Sequence, residues 1–247
     1  MSNPQNVTYG DPSEKVRRKE FFDLFKKWPI PQDEFFMNLG LFLTPQTLSR
    51  ILFMDFLYRQ VLEVQGVVME FGCRWGQNLS LFSALRGIYE PFNRLRKIVG
   101  FDTFAGFPSV SLKDGPQLNP GMYSVTPGYE DYLDQVLHFQ EQESPLPHLT
   151  KYELVKGDAS TCILEYLERN PETIVALAYF DMDIYQPTRD CLQAIKERVP
   201  RGSVIGFDEL NDPLCPGETM AFKEVFGLDR YPVRRFLHNS RTSYVML

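Results

Sequence analysis

An apolar run that ends in two acidic residues constrains the fold of this chain more than any other feature. The run Val175–Phe180 contains no polar side chain apart from one tyrosine hydroxyl, as expected for a central parallel strand that is covered on both faces. Asp181 and Asp183 follow it, at the end that forms the functional edge of an open α/β sheet. The sequence therefore predicts a site at the carboxyl end of this strand.

A second predicted strand, Ser203–Phe207, ends in Asp208 and Glu209 in the same manner. Parallel neighbours end at one edge of a sheet, so four carboxylates would meet there. Unpaired carboxylates at close range repel one another, which indicates either raised pKa values or a bound divalent cation, and we favour the cation. The alternative for any single aspartate is a capping role at a loop or helix.

Composition limits the classes of protein to consider. With 247 residues the chain is most simply one domain with elaborations. Its 26 basic residues are outnumbered by 32 acidic ones and form no basic run, which argues against nucleic acid as a partner. We expect no membrane partner and a cytoplasmic location, because no apolar stretch is long enough to span a bilayer and the N-terminus is too polar for a signal peptide.

Cysteine and histidine usage excludes some kinds of site. The four cysteines show no C-x-x-C spacing, so we expect reduced thiols. The three histidines leave little material for a three-histidine zinc site or a histidine-driven triad. Chemistry based on carboxylates is the remaining expectation.

Strand and helix patterns alternate from residue 67 to the end of the chain, which predicts an α/β fold with a doubly wound, Rossmann-like seven-stranded sheet. Segments 234–237 and 242–246 are predicted to form an antiparallel C-terminal hairpin. Residues 1–65 are predicted to be a helical N-terminal cap that is not an independent domain, and residues 66–247 the main domain. Within it, the proline-rich segment 106–150 has the length of a lid or an insertion that shapes an acceptor pocket.

One helix of the cap is expected to contact the sheet. Thr44 and Pro45 are a good N-cap and first-turn pair. Beyond them Leu48, Ile51, Leu52 and Phe56 recur at three- and four-residue steps and define an apolar stripe. The sequence predicts that this stripe packs on the sheet beside the ligand cleft.

The first predicted strand of the main domain ends in a glycine pattern that indicates a ligand. Glu70, Gly72 and Gly76 differ from the G-x-G-x-x-G that a nicotinamide-dependent dehydrogenase would need. Glycines allow close backbone approach, while an acidic strand end suits a cationic or hydroxyl-rich ligand better than a diphosphate. S-adenosylmethionine meets both requirements. An ordinary turn is the alternative.

Two further strand ends carry aspartates suited to a nucleoside. Asp102 follows a predicted strand at 97–101 and can accept hydrogen bonds from both hydroxyls of a ribose. Another predicted strand, Tyr152–Lys156, leads to Gly157, Asp158 and Ala159, where a carboxylate and a backbone N–H can meet the edge of an adenine. The alternative for Asp158 is a simple turn residue.

Five segments in this order resemble the macrocin O-methyltransferase (TylF-type) family of class I S-adenosylmethionine-dependent sugar O-methyltransferases. They are MEFGCRWG, GFDTFAGFP, KGDA, YFDMDIYQPT and IGFDEL. The similarity covers roughly residues 67–226. The segments FDTFAGFP and DMDIYQPT are the most specific of the set.

The resemblance implies roles for individual residues. It assigns Glu70, Gly72 and Gly76 to the methionine part of S-adenosylmethionine, Asp102 to the ribose and Asp158 to the adenine. The full implied cofactor set is Glu70, Gly72, Gly76, Asn78, Asp102, Thr103, Gly157, Asp158, Ala159 and Asp181.

The resemblance also implies a metal and a base. Asp181, Asp208 and Glu209 match the residues that bind Mg²⁺ in the family, and Asp183 matches the proposed general base of some members. Other members use a histidine near this position, whereas Ile184 and Tyr185 follow here. We therefore expect Asp183 to be the base, with Asp181 as its catalytic partner at the metal.

These observations predict a Mg²⁺-dependent S-adenosylmethionine O-methyltransferase that acts on a sugar hydroxyl of a natural product, such as an antibiotic precursor, or on a related polyol. A catechol-type O-methyltransferase and a non-catalytic binding module are the alternatives. Because relatives are oligomeric, a homo-oligomer is expected. The resemblance does not identify the small-molecule acceptor.

Overall fold

The computed structural model describes residues 11–247, which form a single mixed sheet with helices on both faces. The strands are β1 (Val67–Phe71), β2 (Ile98–Asp102), β3 (Tyr152–Lys156), β4 (Val175–Phe180), β5 (Val204–Phe207), β6 (Val233–Arg235) and β7 (Ser243–Met246). The helices are α1 (Pro12–Lys26), α2 (Pro45–Gln60), α3 (Gln77–Tyr89), α4 (Tyr129–Gln142), α5 (Ala159–Arg169), α6 (Tyr185–Ile195) and α7 (Gly217–Val225), with short 3₁₀ helices at Gln32–Glu34, Phe36–Phe42 and Lys196–Arg198.

The sheet has the strand order β3-β2-β1-β4-β5-β7-β6. The first five strands in this order are parallel, and β7 runs antiparallel to both β5 and β6. The predicted doubly wound α/β sheet with an antiparallel C-terminal hairpin is therefore confirmed. Strands β1, β3 and β4 also have the predicted bounds.

A row of four phenylalanines fixes the register of the functional edge. Phe71, Phe101, Phe180 and Phe207 are Cα partners across β2, β1, β4 and β5. Their rings stack with centroids 4.9, 4.7 and 5.4 Å apart, and all four are fully buried. The next residue along each strand therefore emerges at a common edge. These residues are Gly72, Asp102, Asp181 and Asp208.

Helix α2 contacts the sheet with a different face from the predicted one. Leu48 and Leu52 are 43% and 42% exposed, whereas Phe53 and Leu57 are fully buried. The stripe prediction was therefore wrong for Leu48 and Leu52, although Phe56 packs its ring 4.9 Å from that of Tyr244 in β7. Phe53 packs its ring 4.9 Å from that of Phe236. That rotation also turns Arg50, three residues before Phe53, towards the carboxyl edge.

Two helices follow the acidic strand ends. Helix α6 begins at Tyr185, and Pro187 is tolerated in its first turn, where the missing N–H is not needed. Helix α7 begins at Gly217. No helix of residues 11–247 is long and apolar enough to cross a membrane.

The N-terminal segment before α2 forms its own aromatic cluster. Phe25, Trp28, Phe35 and Phe42 pack with ring centroids 4.8 to 6.2 Å apart. The predicted cap of residues 1–65 therefore contains helices over its described part, while residues 1–10 lie outside the described residues. The division into cap, main domain and insertion stays a prediction.

The segment between β2 and β3 is attached to the main domain at both ends. Asp114 accepts a 2.6 Å hydrogen bond from the backbone N–H of Tyr185 at the start of α6. Farther along, Glu141 of α4 pairs with Lys151 at 3.0 Å and with Arg86 of α3, all three being buried. The first contact lies near the edge of the sheet where the acids emerge, and the second lies at the amino end of β3, so the insertion is attached at both edges of the sheet.

A buried arginine closes the turn between α2 and β1. Arg96 is 1% exposed and donates to the carbonyl oxygens of Val61, Val64 and Gly66 at 2.9, 2.8 and 2.5 Å. Its Nε is 2.8 Å from a carboxylate oxygen of Glu90. The guanidinium thereby supplies hydrogen-bond donors to three carbonyls of the turn that follows α2.

We predict that Arg96→Met lowers the free energy of unfolding by about 3–5 kcal/mol. The substitution removes the ion pair of the Glu90 carboxylate and the hydrogen-bond donor of three backbone carbonyls. Urea denaturation measures the change. Arg94→Met is the matched control, since Arg94 lies two residues away and is exposed, and it should change stability by less than about 0.5 kcal/mol. Equal stability of the two variants would contradict this account of the turn.

Candidate active site

A cleft of about 410 Å³ opens along the carboxyl ends of β3, β2, β1, β4 and β5. Most of the residues predicted for the site line it. They are Gly72, Asn78, Asp102, Thr103, Gly157, Asp158, Ala159, Asp181, Asp183, Asp208 and Glu209. Glu70 and Gly76 do not line the cleft but lie in the segment from β1 to the start of α3 that forms its floor.

Two positions of this segment need glycine because a side chain would not fit there. Gly72 has a φ of +91°, and a Cβ at this position would collide with the carbonyl oxygen of Asp181. Gly76 has a φ of +73°, and a Cβ there would collide with the side chain of Leu133. The β1 loop can therefore approach the loop after β4 and helix α4 closely only because these residues have no side chain.

Beneath the loop lies a buried carboxyl group. Glu70 is 1% exposed, and its Oε1 accepts a 2.7 Å hydrogen bond from Nδ2 of Asn78. Burial raises its pKa well above the usual value. Within the described residues, neither Glu70 Oε2 nor Asn78 Oδ1 has a hydrogen-bond partner.

The predicted ribose residue is held in place by backbone donors. Asp102 accepts hydrogen bonds from the N–H of Arg74 at 2.7 Å and from that of Phe104 at 2.6 Å. Burial raises the pKa of its carboxyl group, although these two hydrogen bonds oppose the shift. Each carboxylate oxygen retains a second lone pair that a ligand hydroxyl can use. Thr103 next to it donates to the carbonyl of Gly106 at 2.7 Å and shapes the turn.

Asp158 is the N-cap of helix α5. Its Oδ1 accepts a 3.0 Å hydrogen bond from the N–H of Ser160. Asp158 therefore caps a helix through one oxygen, and its second oxygen is left for a ligand in the cleft. Gly157 before it has a φ of +146°, and a Cβ there would come 2.6 Å from Sγ of Cys162.

The acids after β4 and β5 are joined by an arginine from the cap. Arg50 of α2 donates from Nη1 to Asp181 Oδ2 and from Nη2 to Asp208 Oδ1, both at 2.9 Å. The hydroxyl of Tyr179 donates to the same Asp208 oxygen at 3.0 Å. Burial and the neighbouring Asp208 raise the pKa of Asp181, while Arg50 opposes the shift.

A second arginine pairs with the other side of the cluster. Arg241, from the loop between β6 and β7, donates to Oε1 of Glu209 and from Nε to Asp212 at 3.0 Å. The expectation of unpaired carboxylates was therefore wrong, because two arginines distant in sequence lie among them. The cluster nevertheless keeps more carboxylates than arginines. Its acidic members that line the cleft are Asp181, Asp183, Asp208 and Glu209.

Asp183 is buried at 7% exposure and has a positive φ of 60°. Few residues other than glycine adopt this conformation, although aspartate tolerates it better than most. Burial raises the pKa of its carboxyl group and Asp208 raises it further, while Arg241 and Arg74 lower it. A carboxyl group with a raised pKa is better matched to proton transfer near neutral pH than an ordinary aspartate.

A buried glutamate ties the two acidic loops together. Glu218 of α7 is fully buried and accepts hydrogen bonds from the N–H of Met182 at 3.2 Å and from that of Glu209 at 3.3 Å. Burial raises its pKa well above the usual value. It holds the loops after β4 and β5 in fixed relation to each other.

The donor set fits a divalent cation. Glu209 Oε2 is buried and has no hydrogen-bond partner among the described residues, and Asp181 and Asp208 each engage Arg50 through one oxygen. Carboxylate oxygens are the ligands that Mg²⁺ prefers. Asp183, Glu209 and Cys215 also bring donor atoms within 4.8 Å of one another, but a thiol is a softer ligand that suits other metals better.

Sequence reasoning missed the basic residues of the site and Glu218. Arg50 carried a signal, because it lies three and seven residues before the buried Phe53 and Leu57 and so shares their face. Arg74 and Arg241 line the cleft from loops, and no sequence periodicity points to them.

Proteins similar to this chain are found among solved structures. The sequence matches no protein-family model and no curated protein. Among solved structures, the crystal structure of CalS11, a calicheamicin methyltransferase, has a TM-score of 0.93 and 42% sequence identity, and the match covers 100% of this chain and 98% of that one. The apo structure of CalS11, described as a TDP-rhamnose 3'-O-methyltransferase of calicheamicin biosynthesis, gives a TM-score of 0.86 and 41% identity over 98% of this chain and 99% of that one.

The O-methyltransferase NovP shares the fold, with a TM-score of 0.57 and 14% identity over 80% of this chain and 79% of that one. The match to CalS11 extends beyond the region 67–226 that carries the sequence motifs and includes the cap and the insertion. The chain is an S-adenosylmethionine-dependent O-methyltransferase, and it belongs to the same family as CalS11, the class I sugar O-methyltransferases of the macrocin (TylF) type that its motifs indicate.

Proposed function

We propose that this enzyme transfers the methyl group of S-adenosylmethionine to a hydroxyl of a sugar carried on a nucleoside diphosphate, in the biosynthesis of a natural product such as an antibiotic. The observation that carries the proposal is 42% identity over the whole chain to CalS11, whose activity is described as 3'-O-methylation of TDP-rhamnose. The segment 106–150 contributes Gly106, Phe107, Pro108 and Tyr123 to the cleft, which supports its role as the acceptor wall.

The order of strands supports one direction for the cofactor. Asp158 follows β3, Asp102 ends β2 and Gly72 follows β1, so adenine, ribose and methionine would lie in this order along the cleft. The sulfonium would then come next to the loop after β4. The acceptor hydroxyl would lie beyond it, near Asp183.

Asp183 would act as the general base. As the hydroxyl oxygen forms a bond to the methyl carbon, the bond from that carbon to sulfur breaks and the hydroxyl proton passes to the Asp183 carboxylate. The products are a methyl ether and S-adenosylhomocysteine. The burial of Asp183 and its raised pKa support this role.

Asp181, Asp208 and Glu209 would hold a Mg²⁺ ion. Bound there, the ion would supply positive charge that stabilises the oxygen anion developing on the acceptor. The excess of carboxylates over arginines supports this proposal, and so does the Glu209 Oε2 atom, which has no hydrogen-bond partner within residues 11–247. Arg50 and Arg241 reduce the electrostatic repulsion among these carboxylates and orient their oxygen atoms.

We predict that Asp183→Asn lowers kcat for TDP-rhamnose by about 10²–10⁴-fold while the dissociation constant of S-adenosylhomocysteine changes less than about threefold, because the amide keeps the size of the side chain but cannot accept the proton. Methyl transfer from ¹⁴C-labelled S-adenosylmethionine and calorimetric titration measure the two quantities. Asp190→Asn, an exchange on α6 outside the cleft, is the matched control.

The same assay distinguishes the alternatives. Methylation of catechol but not of the sugar nucleotide would identify a catechol-type enzyme. Cofactor binding without transfer to either acceptor would indicate a binding module. Undiminished turnover by the Asp183 variant would remove this residue from the proposed chemistry.

We also propose that the enzyme is a cytoplasmic homo-oligomer that associates through its N-terminal segment. The four cysteines are free and buried, which supports a reducing compartment. Phe36 and Met37 are each 80% exposed, and Leu41 is 61% exposed. Exposed apolar side chains concentrated in one short segment are typical of protein interfaces.

We predict that light scattering coupled to size-exclusion chromatography gives a mass above the monomer value of 28.7 kDa and that the double exchange Phe36→Glu and Met37→Glu shifts it towards the monomer, because charges disfavour burial of the patch. Leu112→Glu is the control, since Leu112 is fully exposed in the insertion. A monomeric wild-type enzyme would refute the proposed association.

A further inference from the structure

The backbone at Asp183 adopts a conformation that is rare for a residue with a side chain. The N–H of Ile184 donates to the carbonyl oxygen of Met182 at 2.6 Å, so Asp183 is the central residue of a γ-turn, and its φ is 60°. A γ-turn with a positive φ is strained. Strained backbone at a functional site persists only where the surrounding structure holds it. This turn also sets the direction of the proposed base, because Asp183 lines the cleft.

Two carboxylates from distant parts of the chain hold the turn at its ends. On the amino side, the N–H of Met182 donates to Glu218 of α7 at 3.2 Å. On the carboxyl side, the N–H of Tyr185 donates to Oδ1 of Asp114 in the insertion at 2.6 Å. Hydrogen bonds from backbone N–H groups to carboxylates are among the stronger ones in proteins. The turn is therefore fixed by side chains that its own sequence does not contain.

The start of α7 packs directly against the same turn. A Cβ at Gly217 would lie 2.6 Å from both the carbonyl oxygen of Asp183 and the nitrogen of Tyr185. It would also lie 2.8 Å from Oδ1 of Asp114. Any side chain at position 217 would displace the turn or the carboxylate that holds it. The position of Asp183 thus depends on close fit between the loop after β4, the start of α7 and the insertion.

Asp114 is itself held within the insertion. It is 7% exposed, and its Oδ2 accepts hydrogen bonds from the N–H of Ser111 at 2.6 Å and from the Ser111 hydroxyl at 2.9 Å. Its Oδ1 is then directed at the N–H of Tyr185. Because both carboxylate oxygens are engaged, a shift of the insertion would move the turn at Asp183 as well.

The segment around Asp114 is also part of the proposed acceptor wall. Phe107 lines the cleft and packs against a small buried cluster that contains Leu118, Ile184 and Cys215. Ile184 belongs to the γ-turn, whereas Leu118 and Phe107 belong to the insertion. The acceptor wall and the turn that carries the base therefore form one packed unit.

We infer that Asp114 is a positioning residue for methyl transfer, which fixes the turn at Asp183 so that its carboxylate faces an acceptor hydroxyl bound against the insertion. The inference rests on the proposed function, in which Asp183 takes the hydroxyl proton. A displacement of a reacting group by about 1 Å can lower a rate about 100-fold. Asp114 should therefore determine the rate of transfer and have little effect on binding.

The test separates the rate of transfer from binding. Methyl transfer from ¹⁴C-labelled S-adenosylmethionine to TDP-rhamnose is measured for the wild-type enzyme and Asp114→Ala, and calorimetric titration gives the Kd of S-adenosylhomocysteine. We expect kcat to fall about 10- to 100-fold, while KM for TDP-rhamnose and the Kd of S-adenosylhomocysteine each change less than about threefold. Asp114→Asn should lose less activity, because its amide oxygen can still accept from the N–H of Tyr185.

A double-mutant cycle shows whether Asp114 acts through the base. In the Asp183→Asn background, Asp114→Ala should lower kcat by less than about threefold, because the carboxylate that it positions is already absent. Gly217→Ala, which displaces the same turn from α7, should affect kcat in the same way as Asp114→Ala. Asp131→Ala is the matched control, since it removes an exposed carboxylate from α4 of the same insertion and should leave kcat unchanged.

Three results would overturn the inference. An equal loss of rate in the wild-type and Asp183→Asn backgrounds would show an effect on the fold that does not pass through the base. A rise in KM for TDP-rhamnose at unchanged kcat would assign Asp114 to acceptor binding alone. Undiminished turnover by the single variant Asp183→Asn would refute the proposed base, and the positioning role with it.

Discussion

The collection of carboxylates at the ends of β4 and β5 is the constraint on which the site depends. The stacked row of phenylalanines sets the strands in register, so that Asp181 and Asp208 emerge side by side above a fully buried layer. Such a cluster is unfavourable unless positive charge compensates it. Arg50 provides that charge from α2, and the cap is therefore part of the site.

The arginines have a second consequence for the chemistry. Arg50 and Arg241 each engage two carboxylates, yet Asp183 keeps a raised pKa. Burial also raises the pKa of Asp181, although Arg50 opposes that shift, so both carboxyl groups in the loop after β4 hold a proton more strongly than an ordinary aspartate. Carboxyl groups of this kind are suited to proton transfer near neutral pH. Glu218 accepts hydrogen bonds from the backbone of both acidic loops and holds them in position.

Sequence reasoning predicted the parts of the site that depend on local pattern. Apolar runs followed by an acid or a glycine predicted β1, β3 and β4 and the loops that line the cleft, because adjacent residues encode the end of a strand. It failed where the determining contact is distant in sequence. Arg50 binds Asp181, which lies 131 positions later in the sequence. The buried face of α2 packs on Phe236, which is near the other end of the chain. The arginines could not be assigned without the fold that brings them to the acids.

The direct test of this account is the binding of Mn²⁺, measured by calorimetry, to the wild-type enzyme, Glu209→Gln and Arg50→Met. We expect the wild-type enzyme to bind one ion and Glu209→Gln to bind it at least about 10-fold more weakly, because a ligand oxygen loses its charge. Arg50→Met should bind it more tightly, because a neighbouring positive charge is gone. Equal binding by the wild-type enzyme and Glu209→Gln, or no binding by the wild-type enzyme at millimolar Mn²⁺, would contradict a cation site among these carboxylates.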